Sequence, residues 1–233
     1  MRKLLVPRTV HTRLWGGVSV ACVAILLCSC RSTNKIQPLS PADSMKIVDE
    51  NVLHRAEMDK FFSEDETSPF HRDSNIAYSG LHWYPIDPHF AVHSVLHRYD
   101  NPETVIVLGT KGEERRQLKY GYFAFELPTA EGTLRDIRLN VYKFTPYDQQ
   151  RYALYKNHLS LWFTDLTTGK ETYDVGRYIE LGEEEADPDF LYSIDFNKAF
   201  NPYCAYSAVY SCAIPRKEDH LDIPITAGEM KYH

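Results

Sequence analysis

Two cysteines, Cys204 and Cys212, lie eight positions apart in "FNPYCAYSAVYSCAIP". Such a pair could form a disulfide, stay as buried thiols, bind a metal or supply a nucleophile. A metal would need two more ligands, and only His220 and Glu229 offer themselves nearby in sequence. No Cys-His arrangement for a catalytic thiol is readable.

A second constellation is "HFAVHSVLH", with His89, His93 and His97 spaced by four. On a helix the three would line one face close enough to share a metal. On a strand they would also share a face, but at roughly 13 Å, too far apart for one ion. Phe90, Val92 and Leu96 alternate with the histidines with period two, which favours a strand carrying a solvated histidine face. No metal is expected.

The third is "TYDVGRYIEL", residues 172–181. Fully extended, it puts Tyr173, Val175, Arg177, Ile179 and Leu181 on one face. A guanidinium in an apolar row must meet a carboxylate, because an unpaired buried charge is too costly. Asp165, Asp195 and Glu229 are the available partners, with Asp195 or Glu229 preferred. Two roles follow. Arg177 could anchor the sheet through a buried ion pair, or it could form a polar cradle with Tyr173, Asn197 and Asn201 for a small ligand. A hydrolase would use Asp195 and Glu229 as paired carboxylates around Arg177 and Tyr173. The chain lacks G-x-S-x-G, Walker A, dinucleotide and H-E-x-x-H motifs, and no cofactor is expected.

The elements that must position these groups begin after an N-terminal leader. Arg2, Lys3, Arg8 and Arg13 precede an uncharged apolar run from Leu14 to Leu27. At about 14 residues it is short of the roughly 20 needed to span a bilayer and has the length of a secretory core. It ends in "LCSC", Leu27 to Cys30, which resembles the lipobox of bacterial lipoproteins. That resemblance implies a signal peptide over 1–29, cleavage after Ser29, and diacylglycerol and fatty-acyl groups on Cys30. Residues 30–40 would be the lipidated cysteine and a flexible tether. The expected location is the cell envelope, anchored to the membrane by lipid. Arg31, rather than an aspartate, favours the periplasmic side of the outer membrane.

Removing the leader takes four basic residues and no acidic one, leaving 22 Lys+Arg against 32 Asp+Glu, a net of −10. With no basic stripe, nucleic acid is not an expected partner. Cys22 and Cys28 leave with the leader and Cys30 is blocked, so one pair, Cys204 and Cys212, remains in an oxidising compartment. There a disulfide is the first reading.

Residues 41–233 are expected to form one mainly β (α+β) domain. Ser40 caps a helix over "PADSMKIVDENVLHRAEMDKFF", with Pro41 in its first turn and Asp43 near its N-terminal dipole. Val48, Val52, Leu53, Met58, Phe61 and Phe62 would supply its apolar side. Strands are predicted over 104–110, 120–127, 137–144, 159–164, 176–181 and 190–196. In 137–144, Ile137, Leu139 and Val141 would face the core while Arg138, Asn140 and Tyr142 face outward. Turns between these runs suggest an antiparallel sheet closed into a barrel or folded as a sandwich.

The polar positions carry a resemblance. Asp165, Thr167, Gly169, Thr172, Tyr173, Gly176, Arg177 and Tyr178 fit D-x-T-x-G-x-x-T-Y-x-x-G-R-Y. Asp195, Phe196, Asn197, Ala199, Phe200, Asn201, Pro202, Cys204 and Ala205 fit D-F-N-x-A-[YF]-N-P-x-C-A, followed by Cys212 and Ala227-Gly228-Glu229. The chain resembles the bacterial and archaeal family called domain of unknown function 1684, from about Asp43 to Lys231. It departs from the family pattern at Asp219, where an asparagine is usual. The resemblance implies a compact β-rich domain with a polar set, and brings no established activity. Family relatives without a leader would keep paired cysteines in a reducing compartment, which implies a second role for Cys204 and Cys212. The chain is therefore read as a structural or small-ligand-binding envelope module, with the hydrolase as the alternative.

Overall fold

The computed structural model describes residues 39–233. The leader, Cys30 and most of the tether lie outside the described residues. Within them, no helix is long and apolar enough to cross a membrane.

Ser40 caps α1 (Pro41–Glu64), its hydroxyl accepting from the Asp43 N–H at 3.1 Å. The helix does not pack as its apolar pattern suggests. Val52 and Leu53 are exposed, and Asn51 and Phe62 are its buried residues. Phe62 sits among Phe70 of α2 (Pro69–Arg72), Tyr206 and Tyr78, with ring centroids 5.1–6.2 Å apart. Asn51 donates to Asp195 at 2.7 Å. The helix is held by polar contacts of Asn51 and Asp59, by Arg55 over the Trp83 ring and by an aromatic end, which a count of aliphatic positions does not detect.

The strands are β1 (Ala91–Val95), β2 (His97–Leu108), β3 (Glu114–Pro128) and β4 (Leu134–Phe144). After α3 (Gln149–Tyr155) come β5 (His158–Asp165), β6 (Arg177–Glu183), β7 (Leu191–Asp195) and β8 (His220–Leu221). The larger sheet runs β2-β3-β4-β5-β6, antiparallel throughout, with β8 joining β5 in parallel. β1 and β7 pair separately, Ala91 opposite Asp195 and Val95 opposite Leu191. The sheet does not close into a barrel, and the architecture is sandwich-like α+β. The small sheet is laid over the large one, with Ser94 of β1 bonded to both the carbonyl and the N–H of Ala124 in β3. Phe90, Tyr192, Ile194 and Phe196 from that layer meet Phe123, Leu139, Leu161 and Phe163 of the large sheet in the main core. An apolar sheet face needs a cover, and here a second layer supplies it instead of curvature.

The second face of the large sheet is also covered. The segment 211–215 runs along β2, with Thr110 N–H donating to the Cys212 carbonyl at 2.9 Å and Ile214 N–H to the Leu108 carbonyl at 2.8 Å. Val105, Val107, Tyr142, Trp162 and Ala213 form a smaller core there. This is why Asn140 and Tyr142, expected to face solvent, are buried. Asp219 accepts from both, at 2.7 Å each.

Two other expectations change. Strand β6 starts only at Arg177, because Gly176 has φ +110° and its N–H closes a turn onto the Tyr173 carbonyl. Tyr173 is therefore not carried on the Arg177 face by strand alternation. The three histidines also fall on three elements: His89 in a short 3-10 turn (Pro88–Phe90), His93 in β1 and His97 in β2. His89 bonds Asp87, and His97 stacks on Tyr122. Among the described residues no group of three or more His, Cys, Asp or Glu is arranged to hold a metal ion.

Candidate functional site

Arg177 opens β6 and is fully buried. Its partner is Asp165, at 3.0 Å, rather than Asp195 or Glu229. Asp165 ends β5, where its carboxylate also accepts from the Thr167 N–H and hydroxyl of the "DLTTG" turn at 2.7 and 2.5 Å. Arg177 further donates to the carbonyls of Ala227, Ile225 (2.9 Å) and Glu229 (3.3 Å). The guanidinium thus fastens the chain's last segment to the sheet.

Glu229 belongs to the same neighbourhood through its backbone. Its carboxylate accepts from the Asn201 N–H at 2.8 Å and the Tyr206 hydroxyl at 2.7 Å. Burial pushes it up to about 7. The Asn201 side chain donates to the Met230 carbonyl at 2.8 Å. Gly228, with φ +81°, lets this segment pass: a Cβ there would lie 2.6 Å from the Phe196 carbonyl oxygen and 2.7 Å from that of Ala199.

Asp195 and Asn197 lie in a different network. Asp195 accepts from Asn51 and, at 2.9 Å, from both the N–H and the side-chain amide of Asn197. Asn197 in turn clamps the Asp87 backbone with two 2.8 Å bonds. The structure therefore joins Arg177, Asp165, Asn201 and Glu229 in one buried set and separates Asp195 and Asn197 from it. Asp195 and Glu229 do not form a shared pair of carboxylates.

Tyr173 stands with the cysteines. Its hydroxyl donates to the Cys204 carbonyl at 3.3 Å and approaches Cys204 Sγ at 3.7 Å. The Cys204 N–H donates to Cys212 Sγ at 3.3 Å, and both thiols are free and half-buried. The Cys212 thiol, with the Tyr173 and Thr110 hydroxyls, pulls Cys204 down to about 6. The bond to Cys204, with burial, pushes Cys212 up.

Sequence reasoning missed a cavity of about 270 Å³ on the second face of the sheet, between β3, β5, β6 and the segment carrying Cys212. Phe144, Tyr155, Trp162, Tyr178 and Phe200 give it aromatic walls. Trp162 stacks on Tyr142 at 4.8 Å, and the Tyr178 hydroxyl donates to the Ala213 carbonyl at 2.5 Å. The lining residues Arg115, His158 and Glu180 are already paired. Arg115 meets Glu113 at 2.6 Å and also donates to the Ser211 carbonyl; His158 meets Glu180 at 2.9 Å. The hydrogen bond to Glu180 raises His158 above its usual value, and the same bond holds Glu180 below its own. Gln117 and Trp162 are both 4% exposed, and among the described residues Gln117 Oε1 and Trp162 Nε1 are buried without a hydrogen-bond partner. The signal in the sequence was a large indole on the strand face opposite Leu159, Leu161 and Phe163.

Comparison with curated proteins finds no match. Among solved structures, the chain is similar to an uncharacterized protein of Haloarcula marismortui determined in solution by NMR. The two share 30% identity over 80% of this chain and 95% of that one, with a TM-score of 0.54. The family described as protein of unknown function (DUF1684) matches residues 76–230, which include every strand and both buried polar networks except Asn51. This chain belongs to that family.

Proposed function

We propose that this chain is a lipid-anchored cell-envelope protein whose domain, residues 41–233, binds a small ligand in the Trp162 cavity. The observation that carries the ligand reading is a contrast between a closed polar set and an open cavity. Asp165, Arg177 and Glu229 are engaged by groups of their own chain, with Arg177 Nε left unpartnered, whereas Phe144, Tyr155, Trp162, Tyr178 and Phe200 wall a cavity of about 270 Å³. The separation of Asp195 from Glu229 favours a binding module over a hydrolase with paired carboxylates.

The anchor reading rests on the basic leader, the apolar run and the Leu27–Cys30 motif. Two or three acyl chains at about 0.8 kcal/mol per buried methylene suffice for stable attachment. Facing the periplasm, Cys204 and Cys212 would be oxidised to a disulfide.

Metabolic labelling with palmitate tests the anchor: wild type takes up label and Cys30→Ser does not. An unlabelled wild-type chain overturns it. Ligand binding is tested by a fragment screen of the full chain read on tryptophan fluorescence, with Trp162→Phe as the control. Fragments that quench both proteins alike would overturn the Trp162 cavity as the site.

A further inference from the structure

We infer that Cys204 and Cys212 form a thiol–disulfide exchange site for low-molecular-weight disulfides, with Cys204 as the attacking sulfur and Cys212 as the resolving one. This stands apart from the ligand-binding reading above.

The pair is held so that it opens and closes without the fold. Both cysteines are free and half-buried, and the Cys204 N–H donates to Cys212 Sγ at 3.3 Å. Each is pinned by bonds that need no crosslink. Just past β2, the Thr110 N–H donates to the Cys212 carbonyl at 2.9 Å, and the Cys212 N–H donates to the Thr110 hydroxyl at 3.2 Å. Cys204 lies between Asn201 and Tyr206, which both donate to Glu229, at 2.8 and 2.7 Å.

The two sulfurs are not equivalent. The Tyr173 hydroxyl, bonded to the Cys204 carbonyl, also comes within 3.7 Å of Cys204 Sγ. The Thr110 hydroxyl and the Cys212 thiol bond the same sulfur. Donors converging on one sulfur favour its thiolate, the form that attacks, and do little for the weakly accepting sulfur of a closed S–S bond. A crosslink that only staples the chain has no use for them. They hold Cys204 at about 6 while Cys212 is pushed up. Charges on neighbouring segments, Arg115 toward Cys212 and Asp174 toward Tyr173, act more weakly than these bonds.

The exchange has two steps. The Cys204 thiolate attacks one sulfur of a small disulfide, which forms a mixed disulfide and expels the other half as a thiolate. Cys212 then gives its proton to solvent, attacks Cys204 Sγ and expels the remaining half. The pair loses two electrons to the substrate's S–S bond, and the two released thiolates take protons from solvent. A small dithiol runs the same steps backwards and is itself oxidised. Half-burial of both cysteines favours a small molecule over the disulfide of a folded protein.

The experiment uses the full chain carrying Cys22→Ser, Cys28→Ser and Cys30→Ser, so that only the pair can react. Reduced protein is mixed with 2-hydroxyethyl disulfide at about pH 6.5 and quenched with acid over time, and adducts are mapped by mass spectrometry. The intact pair should pass through an adduct on Cys204 to the internal disulfide, severalfold faster than the same chain in urea. With Cys212→Ser added, the Cys204 adduct should persist. With Cys204→Ser added, reaction should be at least about tenfold slower. Tyr173→Phe should move the midpoint of the pH–rate profile upward while the native tryptophan fluorescence is kept. First adducts on Cys212, rates no faster than in urea, or a stable double adduct overturn the proposal. Loss of the native tryptophan fluorescence on reduction does so too, because the pair is then a structural staple. Should Cys212→Ser not fold, the earliest quenched samples of the intact pair still locate the first adduct.

Discussion

The Arg177 guanidinium donates to the Asp165 carboxylate at 3.0 Å, and neither side chain has any exposure to solvent. Removing one partner of such a pair leaves an uncompensated buried charge, which typically costs about 3–5 kcal/mol. Arg177→Leu also releases three carbonyls of the 225–229 segment. Urea denaturation should show a loss in that range for Arg177→Leu and for Asp165→Leu. The double variant should lose less than the sum of the two. A strictly additive double variant would contradict the pairing.

Glu229 makes stability depend on pH. Its carboxyl is raised from 4.5 to about 7 by burial, so the folded state keeps a proton that the unfolded chain releases between those values. The contribution of Glu229 to stability is therefore full below about pH 4.5 and is lost as pH rises through about 7, by on the order of 3 kcal/mol. Glu229→Gln keeps the shape and carries no titrating proton. Its urea midpoint should change less than wild type between about pH 5 and pH 8. Parallel pH profiles for the two proteins would refute this.

Reduced protein should react unevenly with iodoacetamide. With Cys204 held at about 6 and Cys212 pushed up, Cys204 is alkylated first near neutral pH. Tyr173→Phe removes one donor to its sulfur and should slow the reaction. In exported protein, non-reducing mass spectrometry should find the pair two hydrogens lighter. Reduction should then cost about 2–3 kcal/mol, as expected for so short a loop. Two alkylatable thiols in that material would reject the crosslink.

Gly228 and Gly169 make a matched test. Both have positive φ, +81° and +79°, but only at Gly228 would a Cβ meet backbone oxygens within 3 Å. Gly169→Ala should cost about 1 kcal/mol for conformation alone. Gly228→Ala should cost at least about 2 kcal/mol, because Phe196 and Ala199 must also move. Equal melting temperatures for the two variants would exclude the close passage.

The sequence carried the Ser40 cap and the run of β2 to β7, because capping and short strand-forming runs are local. It also showed that Arg177 must be buried and paired, since the apolar neighbours Ile179 and Leu181 lie on the same strand. It did not choose Asp165. That choice depends on Gly176 turning the chain so that Arg177 falls opposite Phe163, two residues before Asp165, in the β5–β6 pairing. The Trp162 cavity was hidden for a related reason. A strand pattern says which residues share a face, but what covers that face is settled by residues 211–215, about 50 positions downstream. Asn51 was missed because an isolated buried polar residue leaves no periodic trace in a helix.

The clasp between Arg177 and residues 225–229 makes the large sheet depend on a segment that adds no strand to it. Every strand of the sheet's central path is complete by Glu183, yet its buried cation has all but one of its acceptors in residues 225–229. Without residues 225–229 the guanidinium keeps Asp165 but loses three of its four acceptors while still shut away from water.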